Sequence, residues 1–98
     1  LFPQPRLRDG ALMDERCGRG WRLVHDAALA PAEMDADVTA IAVERGPTAE
    51  AEGVVAAWLR RHACHAALLR PDHYVYGTAA GAAELAALLA ERRAALDQ

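Results

Sequence analysis

At 98 residues and 10.5 kDa the chain makes one domain, and 53% apolar with 26% charged residues supplies both a core and a soluble surface. A chain this short buries only about two-thirds of its unfolded surface, which rules out a two-domain enzyme with a cofactor cleft. The net charge is −3 and every one of the 11 Lys+Arg positions is Arg, a balance without the electrostatic footprint that phosphate backbones require, so nucleic acid is not an expected partner.

No run of about 20 apolar residues is present, so no membrane span is expected. Leu1-Phe2-Pro3-Gln4-Pro5-Arg6 has neither the basic start nor the apolar stretch of a signal peptide. With no initiating Met, it reads as the opening of a piece of a longer polypeptide. Two cysteines, Cys17 and Cys64, are too few for a secreted disulfide framework, and a cytoplasmic location is expected.

Residues 1–20 hold Pro3, Pro5, Gly10, Gly18 and Gly20 and read as an extended lead-in, with at most a short helix over Ala11–Cys17 stopped by Gly18. Trp21-Arg22-Leu23-Val24-His25 alternates large apolar and polar side chains, the period of a half-buried strand. Asp26 is placed to N-cap a short helix through Ala27–Leu29, limited by Pro31 unless the helix begins there instead. Within Asp37–Glu44, the run Thr39-Ala40-Ile41-Ala42-Val43 is nearly all apolar and predicts a central strand covered on both faces.

From Thr48 the period changes. Ala51, Val54, Val55, Trp58 and Leu59 form one helical stripe, with Glu50 and Glu52 at its start and Arg60, Arg61 and His62 at its end, matching the macrodipole. Gly53 inside that helix would cost about 1 kcal/mol relative to Ala, so the start is expected near Glu52. Ala66-Ala67-Leu68-Leu69 predicts another apolar strand. Arg70-Pro71-Asp72-His73 then predicts a tight turn, with Pro71 supplying its fixed φ. Tyr74-Val75-Tyr76 is the return strand of the hairpin, ended by Gly77. Ala82 to Leu96 predicts a closing helix with Leu85, Leu88, Leu89 and Leu96 on one side.

The order from Trp21 is β-α-β-α-β-β-α: crossover helices demand a parallel pair, and the last part supplies an antiparallel hairpin and a covering helix. This is the order of a thioredoxin-like α/β domain over residues 21–98, a mixed sheet with helices on both faces. Thiol–disulfide chemistry on such a fold needs a Cys-x-x-Cys at the start of the helix after the first strand, where the dipole lowers the thiol pKa. The segment there is His25-Asp26-Ala27-Ala28, without sulfur, and the neighbourhood before the third strand reads Ala63-Cys64-His65, without the Pro that faces the thiols in redox enzymes. The architecture is expected without its redox Cys-x-x-Cys.

Leu1-Phe2-Pro3-Gln4-Pro5, the stretch from Leu12-Met13-Asp14 to Gly18-Arg19-Gly20-Trp21-Arg22-Leu23-Val24, Trp58-Leu59, and Arg70-Pro71-Asp72-His73-Tyr74-Val75-Tyr76-Gly77 resemble, in order along the whole chain, the C-terminal region of FAD-dependent aromatic-ring hydroxylases. That group includes 3-(3-hydroxyphenyl)propionate hydroxylase, phenol 2-monooxygenase and polyketide hydroxylases; the Arg-Pro-Asp-x-Tyr-Val string is the most specific part. The resemblance implies a non-catalytic thioredoxin-like C-terminal domain of an enzyme that uses FAD and NAD(P)H to insert one oxygen atom into a phenolic ring. Its partners would be the upstream flavin and substrate domains of the same chain, with a homodimer possible. No G-x-G-x-x-G occurs here, so no catalytic, cofactor-binding or metal-binding residue is carried over; Arg70, Pro71, Asp72, Tyr74 and Val75 are structural motif positions. The alternatives are a stand-alone thiol-redox protein of the same fold and a small protein-interaction module.

Other constellations have plainer readings. Cys17 and Cys64 lie on different elements and are expected as buried free thiols rather than a redox pair. His62, Cys64 and His65 offer three metal-ligand types, but a helix end followed by a strand points the histidines in unrelated directions. His25 and Asp26 are adjacent on a strand end and point apart, so capping or surface roles are expected over an acid–base pair. Asp72 is expected to bond nearby backbone amides and Arg70 to pair with an acidic neighbour or the flavin domain. Trp21, Trp58, Tyr74 and Tyr76 are expected as core and edge packing rather than an aromatic box, with Trp21 or Tyr76 left exposed if other domains cover it.

Overall fold

A computed structural model of the chain describes residues 20–29, 31, 34–44, 49–51 and 53–96. The expected Ala11–Cys17 helix, its Gly18 stop and Cys17 lie outside these residues. The described elements are β1 (Trp21–His25), β2 (Val38–Ala42), α1 (Val54–Arg61), β3 (Ala66–Leu69), β4 (Val75–Ala79) and α2 (Ala82–Leu96). The strands form one sheet in the order β2-β1-β3-β4, with β1 parallel to β2 and β3 antiparallel to both β1 and β4. The chain is thus a mixed α/β domain.

Each face of the sheet buries one helix. Val24, Ile41, Ala67 and Leu69 pack with Val55 and Leu59 of α1; Leu23, Val38, Ala66, Leu68 and Ala79 pack with Leu85, Leu88 and Leu89 of α2. Because successive strand residues point to opposite faces, the unbroken apolar run of β3 fills both layers, and all four of its residues are buried.

Several expectations are corrected. β2 is an edge strand, not a central one, and exposes Thr39 and Ala40. The central strands are β3 and β1, and β1 is covered on both faces rather than half-buried: Arg22 has no exposed surface and His25 little. No helix is found over Ala27–Leu29, where Ala27 and Ala28 form a turn. A helix N-capped by Asp26 takes its first i→i−4 hydrogen bond from residue 30 and its second from residue 31, and Pro31 has no N–H to give. Gly77 does not end β4, which continues to Ala79. It sits under α2, where a Cβ would lie 2.5 Å from Leu88 Cδ1. On α2, Leu96 is 53% exposed and Arg92 takes the inward position instead.

α1 begins at Val54, later than expected. Gly53 is its N-cap with a φ of 71°, a left-handed conformation that glycine adopts without steric penalty. Glu50 is not in the first turn; its buried carboxylate folds back to accept the amides of Val55 and Ala56, each at 2.9 Å. At the other end Cys64 N–H bonds Leu59 O at 3.0 Å and Ala63 N–H bonds Arg60 O at 3.1 Å, a Schellman closure with Ala63 at φ 53°.

Candidate functional site

The register of β1 against β3 pairs His25 with Ala66, and so sets the residue after β1 beside the residue before β3. Asp26 N–H donates to His65 O at 3.0 Å, and His65 Nδ1 lies 2.6 Å from Asp26 Oδ2. The other Asp26 oxygen accepts the Ala28 amide at 2.9 Å, an Asx-type turn, while Glu44 Oε1 accepts the Ala27 amide at 2.8 Å. This is the place where a thioredoxin-like redox site needs its thiols, and a carboxylate–imidazole pair occupies it.

The His25 side chain donates to its neighbour's carbonyl, Asp26 O, at 3.0 Å; Asp26's imidazole partner is His65, not His25. His62 stacks on Trp58 with ring centroids 3.9 Å apart, Cys64 is buried in the layer beneath α1, and His65 turns to Asp26. The three candidate ligand side chains therefore diverge, and among the described residues no group of three or more His, Cys, Asp or Glu is placed to hold a metal ion.

Burial pushes the Cys64 thiol above its ordinary pKa, and the Asp26 charge adds to this against the lowering by hydrogen bonds from Ala66 and Thr78. A buried thiol held protonated is a poor nucleophile. Nor does the turn after β1 fit the pyrophosphate of a flavin or nicotinamide. A pyrophosphate needs a glycine-rich approach to a helix N-terminus, whereas the turn after β1 is followed by no described helix and carries the Asp26 and Glu44 carboxylates.

At the opposite end of β1 lies the hairpin of the Arg-Pro-Asp string. His73 N–H bonds Arg70 O and Arg70 N–H bonds Tyr74 O, both at 2.9 Å, closing a three-residue loop. Asp72 accepts the Tyr74 amide at 3.2 Å and the Arg70 guanidinium at 2.8 Å. His73 takes a φ of 71°, where glycine is usual, and the register skips Tyr76 between Leu68 and Leu69, a bulge. From below, the fully buried Arg22 reaches Arg70 O at 3.2 Å.

The aromatic residues do not form one box. Trp21 and Tyr76 meet edge-to-face at 5.4 Å on the α2 side, both half-buried, with the Arg92 guanidinium 4.6 Å from the Trp21 ring centroid. Trp58 lies on the other face, and Tyr74 is exposed. Arg92 is 2% exposed and is held by Asp35 at 3.2 Å and by Asp37, with Arg93 on the second Asp35 oxygen at 2.9 Å. Sequence reasoning missed Arg22, Glu50, Arg92 and the Asp26–His65 pair. None had a signal readable along the chain: residues 26 and 65 meet only because β1 and β3 are antiparallel neighbours.

No helix among the described residues is long and apolar enough to cross a membrane. A curated relative described as a probable NADH-specific resorcinol 4-hydroxylase, from Rhodococcus jostii (strain RHA1), is 35% identical over 114 residues. The aligned stretch takes in 98% of this chain but 22% of the relative, so the chain spans about a fifth of that protein's length. No solved structure matches the chain. The hydroxylase match agrees with the resemblance read from the sequence. The model of the HcaD C-terminal domain matches residues 30–95, more than half of the chain and all of β2 through most of α2, and the chain belongs to that family.

Proposed function

We propose that this chain is the non-catalytic C-terminal module of an FAD- and NAD(P)H-dependent aromatic hydroxylase acting in the cytoplasm. It is a thioredoxin-like framework without the thiols, and it serves its enzyme by shape and burial. It packs against the flavin and substrate domains of the same polypeptide and contributes to subunit association. The observation that carries this reading is the Asp26–His65 pair, which fills the position a redox site needs, while Cys64, the cysteine among the described residues, lies beneath the surface. The resorcinol hydroxylase relative and the sheet order β2-β1-β3-β4 support it.

The test compares the intact gene product with the 98-residue chain. Flavin absorbance and phenol-dependent NAD(P)H oxidation are expected in the intact polypeptide and absent from the chain alone. Flavin bound by the isolated chain, or insulin reduction that disappears in Cys64→Ser, overturns the proposal.

A further inference from the structure

The Arg70–Tyr74 hairpin is held far more firmly than an exposed turn requires. Its carbonyl at Arg70 receives both His73 N–H and the guanidinium of Arg22, a charged group withdrawn completely from water. Burying a charge is costly unless it is fully engaged, and here part of that engagement goes to the base of a surface loop. The loop also stores strain, with His73 in the left-handed region, a conformation that persists where surrounding contacts over-determine it.

Above this base the loop backbone is fixed. The Arg70 guanidinium is locked to Asp72, and Tyr74 has its amide on Asp72 and its carbonyl on Arg70 N–H, while the residue as a whole is 52% exposed. A Tyr with its backbone preorganised beside an Arg is the make-up of an interface anchor, because little loop entropy remains to be lost on docking. The polypeptide also reaches β1 at this end. Arg22 Nε holds Gly20 O at 3.1 Å, and Arg22 is in register with Leu69, the residue before the turn.

We infer that the Arg70–Tyr74 hairpin tip is the docking knob by which this domain seats on the preceding part of the same polypeptide, with Tyr74 as the buried anchor. This rests on the proposed function, in which about four-fifths of the enzyme lies outside the stretch aligned here, as in the hydroxylase relative. The Asp26–His65 end faces away from that contact.

Hydroxyl-radical footprinting of the intact polypeptide, read by mass spectrometry against the denatured chain, tests the assignment. His65, whose side chain is 46% exposed at the opposite end of β1, is the internal control. Tyr74 is expected to be protected on the order of tenfold, as a desolvated anchor is, while His65 keeps the reactivity of a half-exposed side chain. Equal reactivity of the two, protection of His65 instead, or Tyr74 protection that grows with protein concentration and so reports a second copy, overturns it. A flavin-bearing polypeptide with freely reactive Tyr74 overturns the docking assignment alone; an intact polypeptide without flavin overturns the proposed function and the occupant together.

Discussion

Arg22, in the middle layer of the sheet with no exposed surface, donates through Nη2 to the backbone carbonyl of Arg70 at 3.2 Å. Two stretches that carry the resemblance to ring hydroxylases, Gly18 to Val24 and Arg70 to Gly77, are thereby joined by one side chain. Removing the guanidinium loses its charge-assisted hydrogen bonds to Gly20 O and Arg70 O, each worth about 1.5–3 kcal/mol. Arg22→Ala is therefore expected to cost roughly 2–4 kcal/mol in urea unfolding. Arg22→Lys recovers only part of it, because one ammonium on a flexible stem lacks the planar fork that spans Gly20 O and Arg70 O.

Glu50 caps α1 from outside the helix, so its loss is read as a helix-terminus effect. Glu50→Ala is expected to destabilise by about 1–2 kcal/mol, and Glu50→Gln, which keeps one acceptor oxygen, by about half as much. Gly53→Ala adds about 1 kcal/mol by placing a Cβ in the left-handed region. Thermal unfolding of the single and double variants checks whether the two costs add.

Gly77 and Leu88 fit each other. A methyl at Gly77 meets Leu88 Cδ1 at 2.5 Å, the end of a side chain buried among Leu85, Leu89 and Ala79. Gly77→Ala is expected to cost about 1–3 kcal/mol by overpacking. Combined with Leu88→Ala it costs less than the sum of the two, by about 1 kcal/mol, which a double-mutant cycle measures.

The Arg92 hydrogen bond, helped by the Arg92 charge, holds the Asp37 carboxyl below its ordinary 3.8 against an opposing desolvation. A carboxyl that binds its proton less readily folded than unfolded contributes stability in full above about pH 4 and loses it as pH falls through the folded value. Asp37→Asn is therefore expected to flatten the acid limb of stability against pH below that point and to change little near neutrality beyond the lost pairing. Added salt is expected to shrink the difference, since the Asp37 side chain is 64% exposed.

Cys64, buried and with its thiol pKa raised, is expected to react with a disulfide reagent only as fast as the domain opens. The rate in native buffer should rise with added urea and not with pH alone. Fast, pH-driven modification of the native protein would mark Cys64 as a reactive thiol.

Much of the framework was legible along the chain. β3 follows its apolar run, α2 follows its heptad-like spacing of Leu85, Leu88 and Leu89 from Ala82 to Leu96, and the turn at Pro71 and Asp72 follows its residue types. These signals act within a few residues, through backbone geometry and the 2.0 and 3.6 periods. Even the missing thiols after β1 could be read directly, because the absence of sulfur from His25-Asp26-Ala27-Ala28 is a property of composition.

What the line of residues did not disclose depends on which strand lies beside which. Thr39-Ala40-Ile41 is apolar enough for a sheet centre, yet β2 sits at the edge because β1 is shared between β2 and β3. Arg22 and Arg92 read as polar, yet both are interior, since carbonyls from Gly20 and Arg70 and carboxylates from Asp35 and Asp37 reach them only after folding. Asp26 and His65 likewise become partners only once β1 and β3 align. Chain order and composition determined the elements and left no Cys-x-x-Cys after β1; tertiary pairing alone decided where charge can be buried, because a charge is tolerated inside only where its partners are brought to it.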